Sequence, residues 1–97
     1  MQEKSMSLSL ELKDIIVTRQ YDGTFQYEIC THVSATGFLM YNFSTQYKPH
    51  LERFLKYHES LPYSSSIVKA NSEEYTETML KIQEQLKERA RKEQANG

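Results

Sequence analysis

Apolar and polar residues alternate along the first half of the chain with the period of two that is typical of β-strands. Asp22 and Gly23 favour a tight type I′ turn after the first run, because both residues tolerate positive φ angles. The segment from Ser34 to Gly37 predicts a looser turn before the third run. These signals predict three antiparallel strands, in residues 6–21, 24–33 and 39–47.

The predicted register follows from the turns and from the apolar pattern. A two-residue turn pairs Ile16 with Ile29, and a five-residue loop then aligns Ile29 with Phe43. A slip by one residue would send every side chain of a strand to the opposite face. The apolar pattern therefore favours this register, which gives the sheet one face on which helices can pack.

The sequence after residue 48 predicts the first of two helices. Pro49 suits a first helical turn, where its missing N–H has no partner to lose. An apolar stripe follows at helical spacing, and Leu61-Pro62 ends it. The stripe consists of Leu51, Phe54, Leu55 and His58. Ile67-Val68 is too short to assign from its pattern and is expected to be a short strand or a plug into the core.

A second helix is predicted near the C-terminus. Asn71 or Ser72 is the expected N-cap, and Glu74 follows Asn71 at the spacing of a capping box. Acidic residues gather at the start of this segment and basic residues at its end, as the helix dipole favours. The apolar stripe consists of Tyr75, Met79, Ile82 and Leu86.

The predicted fold is α+β: a three-stranded antiparallel β-meander followed by two C-terminal helices packed on one face. Residues 1–5 are predicted to be a flexible N-terminus, residues 6–94 a single domain and residues 95–97 a disordered tail. A chain of 97 residues has no room for a second core. The predicted core consists of Leu12, Ile16, Phe25, Ile29, Val33, Leu39, Tyr41, Phe43, Leu51, Phe54, Leu55, Tyr75, Met79, Ile82 and Leu86.

This order of strands, a proline-led helix, a loop and a second helix resembles the fold of the export chaperone SecB. The resemblance rests on residues 38–47, then Pro49, then Leu61-Pro62, then Asn71. It implies a protein that holds extended polypeptides. The SecB pattern has one more strand and a longer first helix than this sequence offers.

Charge and composition exclude several classes of protein. Lys and Arg number 12 against 13 Asp and Glu, which argues against a globally basic nucleic-acid binder and against an acidic DNA mimic. Cys30 is the only cysteine, so no internal disulfide can form and a reducing compartment is expected. No apolar run is long enough to span a membrane, and the first residues lack the apolar stretch of a signal peptide. A cytoplasmic protein is therefore predicted.

Candidate catalytic and metal sites are weak in this sequence. Cys30 and His32 project from the same face of a strand, but side chains at i and i+2 stand about 7 Å apart, too far for a hydrogen bond. His50 and His58 lie about 12 Å apart along the predicted helix, too far for one metal ion. No glycine-rich phosphate-binding pattern occurs. We therefore predict a protein that is not an enzyme and holds no cofactor or metal.

The second face of the predicted sheet is apolar, and two short helices cannot cover both faces. Strand one also extends beyond its partner, which leaves the main chain of Met6–Glu11 unpaired. A second copy of the chain or another protein would cover both features; alternatively, connecting segments such as Ile67-Val68 fold over them. The predicted partner or dimer interface consists of Leu8, Leu10, Ile15, Val17, His32 and Met40.

Nucleic-acid binding is the competing class of function. The candidate phosphate contacts are Lys87, Arg89, Arg91 and Lys92, at the end of the second helix. Aromatic side chains on the sheet would stack bases, although the same side chains fit a core beneath the helices: Phe25, Tyr27, Tyr41, Phe43 and Tyr47. The favoured prediction is a protein-binding module that covers a partner's surface and forms a homodimer. A small regulator, adaptor or inhibitor encoded by a phage or mobile element fits this size.

Overall fold

A computed structural model of the protein describes residues 8–45 and 47–96, with side chains as far as residue 93. Within these residues the chain forms five β-strands and one α-helix. Their bounds are β1 Ile15–Arg19, β2 Phe25–Val33, β3 Gly37–Asn42, β4 Glu52–Lys56, β5 Ser65–Val68 and α1 Glu74–Asn96. All strand pairs are antiparallel, and the order across the sheet is β4-β3-β2-β1-β5.

The predicted fold of three strands and two helices is wrong, because the segment predicted as the first helix contains β4. Pro49 lies in a short 3-10 turn, Lys48–His50, that leads the chain into this strand. Alternation along β4 sends Leu55 to one face of the sheet, where it is buried, and leaves Phe54 about half exposed on the other. Pairing with β3 decides the structure here, since tertiary contacts readily override a short helical pattern.

Two elements near the C-terminus agree with the sequence. Ile67-Val68 forms a strand, one of the two forms expected for it, at the end of β5. The second predicted helix is present as α1, and its stripe residue Ile82 is buried. Ser72, one of the two expected N-caps of this helix, uses its hydroxyl to donate to the carbonyl of Lys69 in the preceding turn. The helix reaches Asn96, so it includes part of the predicted tail.

The hairpin between β1 and β2 has a different register from the predicted one. Ile15, not Ile16, lies opposite Ile29, because the turn contains three residues instead of two. The backbone N–H of Gln20 donates to Thr24, and Gly23 takes a φ of 86°. A three-residue turn with glycine in the left-handed position is a standard alternative to the type I′ turn. The one-residue shift exchanges the two faces of β1.

The register between β2 and β3 is also corrected. Ile29 lies opposite Tyr41 rather than Phe43, and the predicted five-residue loop is a tight turn closed by the N–H of Ser34 on the carbonyl of Gly37. A β-bulge between Cys30 and His32 shifts the register near the turn. Before the bulge, the observed pairing differs from the predicted one by two residues. Because this number is even, the side chains of β2 in that part lie on the predicted faces.

Side chains pack on both faces of the sheet. The inner face carries the cluster Leu10, Ile16, Cys30, Phe38, Met40 and Leu55. The helix face carries the cluster Ile15, Tyr27, Val68 and Ile82, which α1 covers. Ile67 of β5 packs against the same inner cluster as Leu55 of β4, although these strands form opposite edges, so the sheet curls around this cluster. Several predicted core residues are instead exposed: Leu12, Phe25, Val33, Phe54 and Leu86.

The segment before β1 is not the unpaired strand that the sequence predicted. Leu8 donates its N–H to the carbonyl of Tyr57, and Leu10 is buried in the inner cluster. The chain then turns at Lys13, which has a φ of 75°, and the buried Asp14 closes that turn by accepting the N–H of Glu11. Residues 8–11 thus contribute to the protein's own core, whereas Met6 and Ser7 lie outside the described residues.

Candidate functional site: a polar cleft at one end of the inner face

The inner face changes from apolar to polar in the same direction on all five strands. The inward side chains of the inner core are Ile16, Cys30, Met40, Leu55 and Ile67. On each strand, the residue two positions away toward the same end of the sheet is polar and lies on the same face. These residues are Thr18, Glu28, Asn42, Arg53 and Ser65. We call this second set the polar row. The arrangement places five polar side chains, one from each strand, around one end of the sheet's interior.

Glu28 and Arg53 form a bidentate ion pair within the polar row. The Nε and Nη2 atoms of Arg53 donate to the two carboxylate oxygens of Glu28, at 2.7 and 2.8 Å. The side chain of Glu28 is 3% exposed and that of Arg53 is 47% exposed. Since β3 lies between β2 and β4, the pair bridges three strands and holds the guanidinium at the boundary between protein and solvent.

Asn42 lies beside this pair and is 6% exposed. Its Oδ1 atom accepts the N–H of Ser44 at 2.7 Å, which fixes the orientation of the side-chain amide. Among the residues that the structure describes, no acceptor lies within hydrogen-bond distance of its Nδ2 atom. On the other side of the row, the hydroxyls of Thr18 and Ser65 share a hydrogen bond of 2.7 Å.

The polar row opens into a cleft of about 520 Å³. Three loops border it: the β1–β2 loop through Gln20, the β3–β4 loop through Pro49 and His50, and the β4–β5 loop through Pro62. The N–H of Arg19 donates to the carbonyl of Ser64, which ties the β4–β5 loop to the end of β1. The cleft therefore has a floor from the sheet and walls from loops fastened to it.

Each of these loops carries an exposed tyrosine. Tyr21 and Tyr63 are fully exposed, and Tyr47 is 59% exposed. The ring of Tyr47 meets that of His50 edge-to-face, with centroids 4.7 Å apart. We call these three tyrosines the tyrosine rim; they lie on the bordering loops, beside the residues that line the cleft and not among them. Tyrosine is enriched among the residues that carry most of the binding energy at protein interfaces.

A comparison with protein families identifies the chain. The family model for the phage tudor domain matches residues 5–90. The chain belongs to the phage tudor domain family. The match includes all five strands and most of α1, and it makes the protein a small phage-type domain, compatible with a phage-encoded module. No curated protein and no solved structure matches the chain.

The resemblance to SecB does not agree with the fold of this tudor domain. It depended on a proline-led helix, and the structure has a 3-10 turn and a strand in that segment. The five strands and one helix of the described chain differ from the two-helix pattern on which the resemblance was based.

The tudor domain does not bring the predicted interface residues onto one exposed surface. Ile15 is buried and Val17 half-buried on the helix face, because the β1–β2 turn is one residue longer than predicted. Leu10 and Met40 are buried on the inner face. The remaining two also lie apart: Leu8 packs against the inner cluster, and His32 is exposed.

The basic end of α1 is partly engaged within the tudor domain. Arg89 donates from Nη2 to the carbonyl of Phe43, and Arg91 pairs with Glu88 at 2.8 Å. Lys87 and Lys92 are exposed. Contact of these four basic residues with phosphates stays a prediction.

The candidate thiol of the tudor domain has little reactive character. Cys30 is buried, and burial raises the pKa of its thiol, so the thiolate form is disfavoured. Its sulfur donates to the backbone carbonyl of His32, at 3.7 Å. Within residues 8–45 and 47–96 no three His, Cys, Asp or Glu side chains gather as a metal site requires. Nor does any helix in that part of the chain have the length and apolar character to cross a membrane.

Sequence reasoning missed the polar row, although each strand carries a signal for it. A polar residue stands two positions from an inward apolar residue on every strand, as in Glu28 and Cys30 or Asn42 and Met40. These polar residues can be assigned to one end of one face only when the registers are correct and β4 and β5 are included in the sheet.

Proposed function

We propose that this tudor domain is a non-enzymatic protein-binding module, a small regulator, adaptor or inhibitor, that recognises its partner with the polar row and the tyrosine rim. The observation that carries the proposal is the convergence of polar side chains from five strands on one cleft whose bordering loops each carry an exposed tyrosine. Membership of a tudor-type family supports a binding role.

The chemistry of the cleft suits recognition of a protein. Tyrosine offers a large contact area with few rotatable bonds, so it loses little conformational entropy when a partner covers it. The polar row is held by strands, and its ion pair and hydroxyl pair fix their groups before a partner arrives. Preorganised polar groups together with exposed aromatic side chains are the usual composition of an interface that combines affinity with specificity.

Binding rather than catalysis is supported by the state of the best candidate nucleophile. Cys30 is buried and its pKa is raised, so its sulfur is a poor nucleophile at neutral pH. We also propose that the protein acts in the cytoplasm, where a single free thiol stays reduced.

The proposal is tested by comparing partner capture by matched double variants. The wild type is immobilised, a stoichiometric partner is recovered from the cells in which the protein acts, and its affinity is measured with purified components. Tyr21→Ala combined with Tyr63→Ala should weaken binding by about a hundredfold, the range of two interface tyrosines. Both side chains are fully exposed, so the fold should be unaffected.

The matched control combines Leu12→Ala with Leu80→Ala, two exposed apolar residues outside the cleft. It should bind the partner as the wild type does. Equal binding by the tyrosine variant would contradict the proposal. So would a stoichiometric nucleic acid whose affinity falls steeply with salt and depends on Lys87 and Lys92, because phosphate contacts give that behaviour.

Homodimerisation remains a prediction, although its geometric basis has changed. Leu10 and Ile15 are buried within one chain, so neither is available as an interface residue without rearrangement. Light scattering at micromolar concentration decides the point: the mass of one chain, 11.4 kDa, would contradict a homodimer, and twice that mass would support it.

A further inference from the structure

The hydrogen-bonding groups of the cleft indicate which chemical group of the partner it receives. We propose that the cleft binds a carboxylate of the partner protein, from an aspartate or glutamate side chain or a C-terminus. This inference rests on the proposed function, because it assumes that the partner occupies the polar row. It is carried by the imbalance between free donors and occupied acceptors in the cleft.

Asn42 provides the first donor. Its Oδ1 atom is held by the N–H of Ser44, so its Nδ2 group must point its N–H bonds elsewhere. The residue is 6% exposed and lines the cleft, and no acceptor for Nδ2 is found among the described residues. A buried amide donor without a partner costs free energy, which a ligand that accepts its hydrogen bond would recover.

Arg53 provides the second donor, with the geometry of a carboxylate site. A guanidinium has five N–H groups, and Glu28 takes the edge formed by Nε and Nη2. The other edge, formed by Nη1 and Nη2, has no acceptor among the described residues. That edge matches the two oxygens of a carboxylate, and the half-exposed side chain leaves it accessible from the cleft.

Glu28, Gln20 and Ser44 already use their acceptors at the cleft, whereas Gln26, which also lines it, offers both a donor and an acceptor. Both oxygens of Glu28 accept from Arg53, and the Oε1 atom of Gln20 accepts the hydroxyl of Thr24. The Oγ atom of Ser44 accepts the N–H of Tyr27. A ligand that mainly donates hydrogen bonds would find few partners here, whereas a ligand that only accepts them finds several donors.

Charge favours a carboxylate over a phosphate. Glu28 neutralises Arg53, so the floor of the cleft presents directed donors with little net positive charge. Glu52 borders the cleft, but it alternates with Arg53 along β4 and its side chain is directed toward the other face. One planar, singly charged acceptor therefore fits better than a dianion.

The test is a titration of the ¹⁵N-labelled full-length protein, followed by NMR. The probe is acetyl-aspartate N-methylamide, and its control is the asparagine analogue. The acid should produce saturable shifts at the side-chain amide of Asn42 and at the Nε–H of Arg53. The amide analogue should bind about tenfold more weakly, because its hydrogen bonds to the guanidinium are not charge-assisted.

Asn42→Asp is the decisive variant, since it keeps an oxygen for the N–H of Ser44 but replaces the free donor with an acceptor. It should abolish binding of the acid probe. Asn71→Asp, an exposed position outside the cleft, is the matched control and should bind as the wild type does. If Asn42→Asp does not fold, Arg53→Lys removes the guanidinium edge and keeps its charge, and should likewise abolish binding.

Three outcomes would overturn the inference: no saturable shift with the acid, equal affinity for the asparagine analogue, or tighter binding of inorganic phosphate than of the acid. Different results would reject the carboxylate site and the proposed function. Partner binding that needs the tyrosine rim, without any response to the acid probe, would reject the carboxylate alone. Acid binding at Asn42, with partner binding unaffected by loss of Tyr21 and Tyr63, would reject the proposed function.

Discussion

Asp14 is a fully buried carboxylate that joins three parts of the chain. Its Oδ1 atom accepts the N–H of Ala70, its Oδ2 atom accepts the N–H of Glu11, and Lys69 pairs with it at 2.5 Å. Those contacts fasten the segment before β1 to the chain that follows β5. The sequence shows an aspartate between two apolar segments, but its role depends on a φ of 75° at Lys13 that no local pattern predicts.

Asp14→Asn should reduce the free energy of unfolding by about 2–3 kcal/mol, the range for losing hydrogen bonds to a buried charged group. An amide has one oxygen, so it would set an N–H against either Glu11 or Ala70. Urea denaturation measures the loss. Asp22→Asn, in the exposed β1–β2 loop, is the control and should have a much smaller effect. Equal stability of the two variants would contradict the role assigned to Asp14.

The carboxylate of Asp14 also makes the stability of the protein depend on pH. Burial alone would raise the pKa of Asp14, but hydrogen bonds from Lys69, Ala70 and Glu11 outweigh it and hold the pKa below its ordinary value of 3.8. Its contribution to stability is therefore complete above that value and is lost as the pH falls through the lowered pKa. The carboxylate raises the pKa of Lys69 above 10.5, so the contribution of Lys69 is lost only as the pH rises beyond that point.

Thermal denaturation between pH 2 and pH 6 tests this prediction, in a range that brackets the ordinary pKa of aspartate, about 3.9. The wild type should lose stability in acid more steeply than Asp14→Asn does, since the variant has no carboxylate to protonate at this position. Parallel curves for the two proteins would show that Asp14 does not titrate as its contacts require.

At the scale of elements, the sequence predicted what depends on local pattern. The facial alternation of β2 before its bulge and the stripe residues Tyr75, Met79 and Ile82 of α1 agree with the structure, because each reflects the geometry of one element. The faces of β1 were reversed by a turn that is one residue longer than expected. Leu51, Phe54 and Leu55 fit a helical stripe equally well, and only the pairing with β3 makes Glu52–Lys56 a strand.

Gly23 and Gly37 are required for two different reasons: a positive φ angle at the first and close packing at the second. Gly23→Ala should cost about 1–2 kcal/mol, because the position has a φ of 86° but open space around a Cβ atom. Gly37→Ala should cost more, since its Cβ would collide with the backbone of Leu55 and lie 2.9 Å from the ring of Phe54. Urea denaturation of both variants checks the order. A smaller loss for Gly37→Ala would contradict the close packing of β4 on β3.

That order can be tested further with Phe54→Ala in the Gly37→Ala background. Removal of the ring relieves one of the contacts but leaves the collision with the backbone of Leu55. The second substitution should therefore recover only part of the lost stability. Full recovery would show that the ring, rather than the strand backbone, is what excludes a side chain at this position.

At the scale of the whole molecule, the polar row could not be predicted from the sequence, since it requires five strands in their correct registers. Glu28 and Arg53 are 25 residues apart and meet across β3. The tyrosines Tyr21, Tyr47 and Tyr63 belong to three separate loops that only the sheet brings to one end. The sequence did predict a protein-binding module, but three of the six residues that it assigned to the binding surface, Leu10, Ile15 and Met40, are buried in the core.

We propose that the polar row and the tyrosine rim receive the partner. Amide hydrogen exchange of the tudor domain, free and in its purified complex, tests it most directly because exchange reports which backbone groups a partner covers or stabilises. We expect slower exchange in the complex in the parts of the three loops that border the cleft: residues 20–24, 43–45, 47–51 and 61–64. Slower exchange confined to the C-terminal half of α1, with the three loops unchanged, would contradict it.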